Sequence, residues 1–177
     1  QLLLAGLLSS SGKETQAVQV YEALLKRGPD NQEPYLYLGT LYAKQEEFQK
    51  ATAVLKKLVE RYPHSVLGYY YLGQTSAAAR QLDQAETYYQ KALSLNPQSE
   101  LVLLDLALVY EMQKKTAEAV EIYQKALAVN PHSEQVRKRL GRFYLGQKKL
   151  DDALHQFRVL ENIEADPQET RLKISLI

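Results

Sequence analysis

Residues 96–133 read NPQSELVLLDLALVYEMQKKTAEAVEIYQKALAVNPHS, so the stretch opens on Asn96-Pro97 and closes on Asn130-Pro131. Proline disfavours the α region in the residue before it and has no N–H to continue a helix, so both dipeptides read as helix stops. Between them a polar break at Lys114–Lys115 divides the stretch in two. An earlier copy shows the division most plainly. Leu38, Leu41 and Tyr42 recur at helical spacing, Gln45–Glu47 interrupt, and Ala51, Val54, Leu55 and Leu58 resume. The unit is a helix, a tight turn, a second helix and a proline turn.

The unit repeats along the chain. Pro29, Pro63, Pro97 and Pro131 are spaced by 34 residues, and an alanine keeps the same beat at Ala17, Ala51, Ala85, Ala119 and Ala153. Pro167 follows Pro131 by 36. Polar breaks recur at Ser11–Lys13, Arg80–Gln81 and Lys148–Lys149. Period-two runs of β-branched residues are missing, so strands are not expected. Ser65, Ser99 and Ser133 stand two residues after a proline, where their hydroxyls would cap the next helix. Pro34 falls in a first helical turn, where its missing N–H costs little. Gly39, Gly73, Ala107 and Gly141 share one position on the first helix. Small residues there would let the paired helices approach closely.

Composition limits the function classes. The chain has 177 residues, 45% apolar and 24% charged, which suits one globular domain. Without cysteine there is no disulfide or thiolate chemistry. A formal net charge of +1 is too balanced for a dedicated binder of nucleic acid or membrane surface. No apolar run reaches the roughly 18 residues that span a bilayer. Leu2–Leu8 is apolar like a signal-peptide core, but it has no basic flank and fits the repeat register. Catalytic constellations are missing too: no Gly-rich phosphate loop, no His-Glu-x-x-His and no Gly-x-Ser-x-Gly. His64 and His132 recur two repeats apart, too far to share a metal, and Asp151-Asp152 suits the first turn of a helix. No enzyme activity, metal or cofactor is expected.

The repeat resembles the tetratricopeptide family. Leu38-Gly39 with Tyr42, and Leu140-Gly141 with Tyr144, carry its first-helix pattern. Leu72-Gly73 matches but Ser76 replaces the tyrosine, and Leu106-Ala107 with Tyr110 has alanine for glycine. Tyr89/Ala92 and Tyr123/Ala126 carry the second-helix pattern. The family's leading Trp is replaced by Tyr35, Tyr69, Leu103 and Arg137. The resemblance implies an all-α, right-handed superhelix of stacked antiparallel helix pairs. The units fall at about 1–31, 32–65, 66–99, 100–133 and 134–169, with a sixth begun at 170–177. Leu172, Leu176 and Ile177 form an apolar face where a polar cap is usual, which suggests a fragment of a longer array that self-associates through its ends.

In such a fold the first helices line a concave face that holds a protein or peptide. Carried onto this sequence, that face comprises Tyr37, Thr40 and Lys44, then Tyr70, Tyr71, Gln74 and Ala78. It continues with Asp105, Leu108 and Met112, then Lys138, Arg139 and Arg142. Tyrosine offers apolar area, a polar tip and few rotamers to freeze, which suits a binding surface. Most of the 13 tyrosines, including Tyr42, Tyr110 and Tyr144, fall on core positions of the repeat. Six basic residues and no acidic one lie between Arg137 and Lys149. They either pair with a partner's carboxylates or form a solvated face balanced by Asp151 and Asp152. Some members of the family clamp chaperone C-termini with Lys, Asn and Arg. Here Leu2, Gly6, Leu36, Tyr37 and Thr40 stand in those places. A ligand apolar or aromatic in its middle and acidic at one end fits better. Two alternatives stand beside this non-catalytic scaffold: an RNA-binding helical repeat, and a regulatory module of an enzyme domain elsewhere. The fourth unit is net acidic, which disfavours RNA.

Overall fold

A residue with left-handed backbone stands at each tight turn: Gly12 (φ 76°), Glu46 (60°), Arg80 (61°), Lys114 (60°) and Lys148 (58°). The next residue's N–H returns to a carbonyl in the last turn of the preceding helix. These bonds are Lys13 to Leu8, Glu47 to Tyr42, Gln81 to Ser76, Lys115 to Tyr110 and Lys149 to Tyr144, each 2.9 Å. This is the helix-ending bond that a left-handed residue makes possible. The carbonyls of Lys13, Glu47, Gln81, Lys115 and Lys149 then accept from Ala17, Ala51, Ala85, Ala119 and Ala153, all at 3.0 Å. The alanine beat of the sequence therefore marks the first bonded turn of each second helix.

The computed structural model describes residues 1–177. Its contacts cluster into two units, Gln1–Pro97 and Gln98–Ile177. The first holds α1 (Leu2–Ser10), α2 (Glu14–Lys26), α3 (Glu33–Lys44), α4 (Phe48–Arg61), α5 (Val66–Ala78) and α6 (Leu82–Leu95). The second holds α7 (Glu100–Met112), α8 (Thr116–Val129), α9 (Glu134–Gly146), α10 (Leu150–Ile163) and α11 (Gln168–Ser175). Every element is helical, as the periodicity requires, and none is long and apolar enough to cross a membrane. In unit 1 the pairs α1/α2, α3/α4 and α5/α6 pack as hairpins, and each following hairpin packs on the one before through α2/α3 and α4/α5. Unit 2 repeats this with α7/α8, α9/α10 and the half-hairpin α11.

The small residues of the first helices face one large residue 16 positions later. A Cβ at Gly39 would lie 2.7 Å from Leu55, at Gly73 2.5 Å from Tyr89, and at Gly141 2.8 Å from Phe157. Those partners belong to a buried series, Tyr21, Leu55, Tyr89, Tyr123 and Phe157. Leu58, Ala92, Ala126 and Leu160 form another buried series, one turn further along the second helices. Ser76, standing for the repeat's tyrosine, is buried with its hydroxyl unpartnered.

The proline turns are tied by side chains. Ser65 Oγ accepts from Gly68 N at 3.0 Å and donates to Gln32 Oε1 at 2.5 Å. Ser133 Oγ accepts from Val136 N at 3.2 Å and donates to Glu100, which also accepts from Asn130 Nδ2 at 2.9 Å. Ser99 takes the N-cap backbone conformation, but its side chain makes no cap bond. Arg137, the departure from the aromatic position, reaches Pro131 O from Nη2 at 2.7 Å and Gln156 Oε1 from Nη1 at 3.0 Å. It pins the proline turn to α10 with hydrogen bonds in place of ring packing. Tyr42 OH donates to Glu22 Oε1 at 2.5 Å, and burial followed by that bond pushes the phenol up to about 12.

The close approaches set a contrast between glycines. Gly73→Ala forces Cβ into the fully buried Tyr89 ring, and a loss of about 1–3 kcal/mol is expected. Gly6→Ala meets nothing within 4 Å and is expected to stabilise α1 by up to about 1 kcal/mol. Urea titration of both variants checks this, and equal effects would contradict it.

Candidate functional site

The exposed side of each first helix follows from where its small residue packs. At 3.6 residues per turn, a residue two positions before the small one lies on nearly the opposite side of the helix. Tyr37, Tyr71, Asp105 and Arg139 hold that position. A residue three positions before lies close to the packing side. Tyr70 does so: it is 5% exposed, with its ring tilted at 6.0 Å against Tyr89 and its hydroxyl accepting from Gln74 Nε2 at 2.6 Å. Tyr70 is therefore a packing residue between α5 and α6, and it leaves the expected binding face.

In unit 1, Tyr37 is half exposed and stacks on Tyr21, with ring centroids 5.7 Å apart and planes 23° apart. It lines a cleft of about 550 Å³ with Leu2, Leu3, Gly6, Leu7 and Glu33. Thr40 Oγ1 donates to Tyr37 O at 2.9 Å, within its own helix. Lys44 is exposed but ion-paired to Glu14, whose carboxyl that bond holds below its ordinary value. Its charge ties α3 to α2. Tyr71 is half buried with its ring against Tyr70, Gln74 is half buried, and Ala78 is exposed. Tyr37 and Tyr71 thus have separate surroundings within the unit.

In unit 2, a cavity of about 610 Å³ lies against α7, α8 and α9 and gathers Leu108, Lys138, Arg139 and Arg142. Six residues outside the expected face join them: Glu111, Tyr123, Gln135, Phe143, Gly146 and Gln147. Asp105 is half buried and Met112 exposed, and neither lines the cavity. Lys138 holds the register position of Tyr70, on the packing side. It is ion-paired to Glu164 and lies 3.8 Å from Glu134, and the Glu164 bond raises its pKa. Arg142 is exposed and makes one 3.4 Å contact with Glu169. The carboxylates that balance this basic helix are Glu134, Glu164 and Glu169, in place of the expected Asp151 and Asp152. The latter two sit in the first turn of α10, where negative charge is favourable.

Arg139 is half buried and makes no hydrogen bond or ion pair, though its charge is felt by Glu111 and Tyr123. Tyr123 OH donates to Glu111 Oε1 at 2.5 Å, and the Tyr123 ring tilts against Phe143 at 6.3 Å. Burial raises the Glu111 carboxyl above its ordinary value, against the opposing pull of Tyr123 and Arg139. The sequence does carry a signal for Glu111. The same register position holds Ala43, Ala77 and Leu145 elsewhere, so a carboxylate there departs from the repeat.

The raised pKa of Glu111 has a definite sign for stability. Folding favours the protonated acid, so its contribution is present below the ordinary value of 4.5 and is lost as pH rises through the folded pKa. Glu111→Gln keeps an acceptor for Tyr123 and removes the buried charge. It is expected to raise the melting temperature at pH 7, with the gain over the parent shrinking toward pH 4. Melting curves of the two proteins across that range check this, and a constant or inverted difference would contradict it.

Comparison with known proteins agrees with the helical-repeat fold. A family model described as the Tetratricopeptide repeat protein 21 C-terminal ARM domain matches residues 13–140. A Tetratricopeptide repeat model matches residues 111–173. No curated protein matches the chain. Among solved structures, MamA is similar with a TM-score of 0.80 and 26% identity over 96% of each chain. TTC0263, a thermophilic TPR protein of Thermus thermophilus, gives 0.73 and 26% over 99% of this chain and 95% of its own. YrrB, described as a TPR protein with an unusual peptide-binding site, gives 0.74 over 99% of this chain and 90% of its own. At 19% identity YrrB speaks to the fold alone.

Proposed function

The chain belongs to the tetratricopeptide repeat family, and from that premise we propose that it is a non-catalytic scaffold holding a peptide or partner protein on the exposed faces of its first helices. Protein interaction is the general role that its TPR-fold neighbours support. The observation that carries the finer reading is the unit 2 cavity, where a half-buried guanidinium without a carboxylate partner stands beside aromatic and aliphatic surface. A planar cation in such a place suits a carboxylate, and Phe143 and Leu108 suit an apolar neighbour of it. In unit 1 the counterpart is the half-exposed Tyr37, stacked and so already ordered, with apolar α1 residues around it. Binding there would freeze few rotamers.

The same charges weigh against RNA. Lys44 and Lys138 are already neutralised by Glu14 and Glu164. The cations left to meet a ligand among the expected residues are Arg139 and the weakly held Arg142. A backbone-tracking nucleic-acid surface needs more than that.

A synthetic peptide array probed with the full chain tests this function. It is expected to retain peptides in which Asp or Glu neighbours Phe or Leu. Arg142→Glu should lower their affinity about tenfold and Leu108→Ala severalfold, with helicity by circular dichroism unchanged. An array that retains nothing, or affinities indifferent to both substitutions, would contradict the proposal.

A further inference from the structure

The unit 2 cavity holds two opposite charges, and neither uses its full hydrogen-bonding capacity. Glu111 Oε1 is occupied by the Tyr123 hydroxyl, while Oε2 has no partner in the protein. Arg139 has none for its guanidinium. Both side chains line the same space and act on each other electrostatically without an ion pair. The repeat does not require a carboxylate at this register position, where Ala43, Ala77 and Leu145 serve elsewhere, and satisfying the buried Tyr123 hydroxyl occupies only one of its two oxygens. Tyr123, fully buried, fixes which Glu111 oxygen is engaged and so which one is left.

Resting on the peptide-scaffold reading above, the geometry points to Glu111 as the specificity-determining residue of this cavity, an acceptor for an N–H of a bound peptide while Arg139 takes a neighbouring carboxylate. Its partner is a peptide segment carrying an Asp or Glu beside Phe or Leu, extended enough to leave a backbone N–H unpaired. The apolar side chain meets Leu108 and Phe143. Such a ligand satisfies both charges at once. A polyanion satisfies Arg139 alone and is repelled by Glu111 at close range in a partly desolvated space. Glu111 therefore serves selectivity as well as affinity, by disfavouring the wrong class of partner. The upward shift of its pKa agrees with this, because a donor from the ligand would relieve a carboxylate that burial penalises.

The test compares two probes on the full chain: an array-selected acidic–aromatic peptide and a single-stranded RNA oligonucleotide. Glu111→Gln keeps the acceptor for Tyr123 but presents an amide N–H to the cavity. It is expected to lower the ratio of peptide to RNA affinity at least tenfold. Tyr123→Phe keeps the ring and releases Oε1, and should weaken peptide binding severalfold without loss of helicity. Arg139→Ala should abolish peptide binding. A Glu111→Gln protein whose affinity ratio equals the parent's, while Arg139→Ala still loses the peptide, would overturn this inference and leave the scaffold function standing. A parent chain that binds RNA and none of the peptides would overturn both.

Discussion

Each hairpin depends on a missing or minimal side chain: Gly39 against Leu55, Gly73 against Tyr89, Gly141 against Phe157. That approach brings the paired helices close enough for a short left-handed turn to join them. It also sets the rotation of the first helix. Once the small residue faces inward, the residue two positions before it must face away, and the residue three before it must not. The outward placement of Tyr37, Tyr71 and Arg139, exposed or half buried, and the burial of Tyr70 and Leu104, are consequences of the same contact.

The second constraint is electrostatic. Several of the chain's charges are committed to holding elements together. Lys44 ties α3 to α2, Lys138 ties α9 to the turn before α11, and Arg137 holds a proline turn. Such contacts contribute little individually where they are exposed. Their effect on function is larger, because they withdraw cations that would otherwise attract any polyanion. Arg139 and Glu111 stand apart from this pattern, sharing a cavity with hydrogen-bonding capacity to spare.

Much of the fold is legible in the sequence because it is periodic. Proline and alanine at a spacing of 34 place every hairpin, and the polar breaks coincide with the observed turns. The left-handed residues are less legible. Of those at the tight turns only Gly12 announces itself, whereas Glu46, Arg80, Lys114 and Lys148 carry side chains that look ordinary at a helix end. The candidate site is less legible still. Leu108, Lys138, Arg139 and Arg142 do come together, but family register alone cannot separate a free cation from a committed one. Lys138 depends on Glu164, which reaches it from the lengthened turn before Pro167. Phe143 and Tyr123 join the cavity only through the packing of α9 on α8.

The central claim, that the first-helix face of unit 2 is where a partner binds, is tested most directly by mapping amide and methyl chemical shifts as an acidic–aromatic peptide is added. Perturbations are expected to centre on Leu108, Glu111, Arg139 and Phe143, while the exposed faces of α8 and α10 stay unchanged. Perturbations confined to α8 and α10, with that cavity silent, would contradict it.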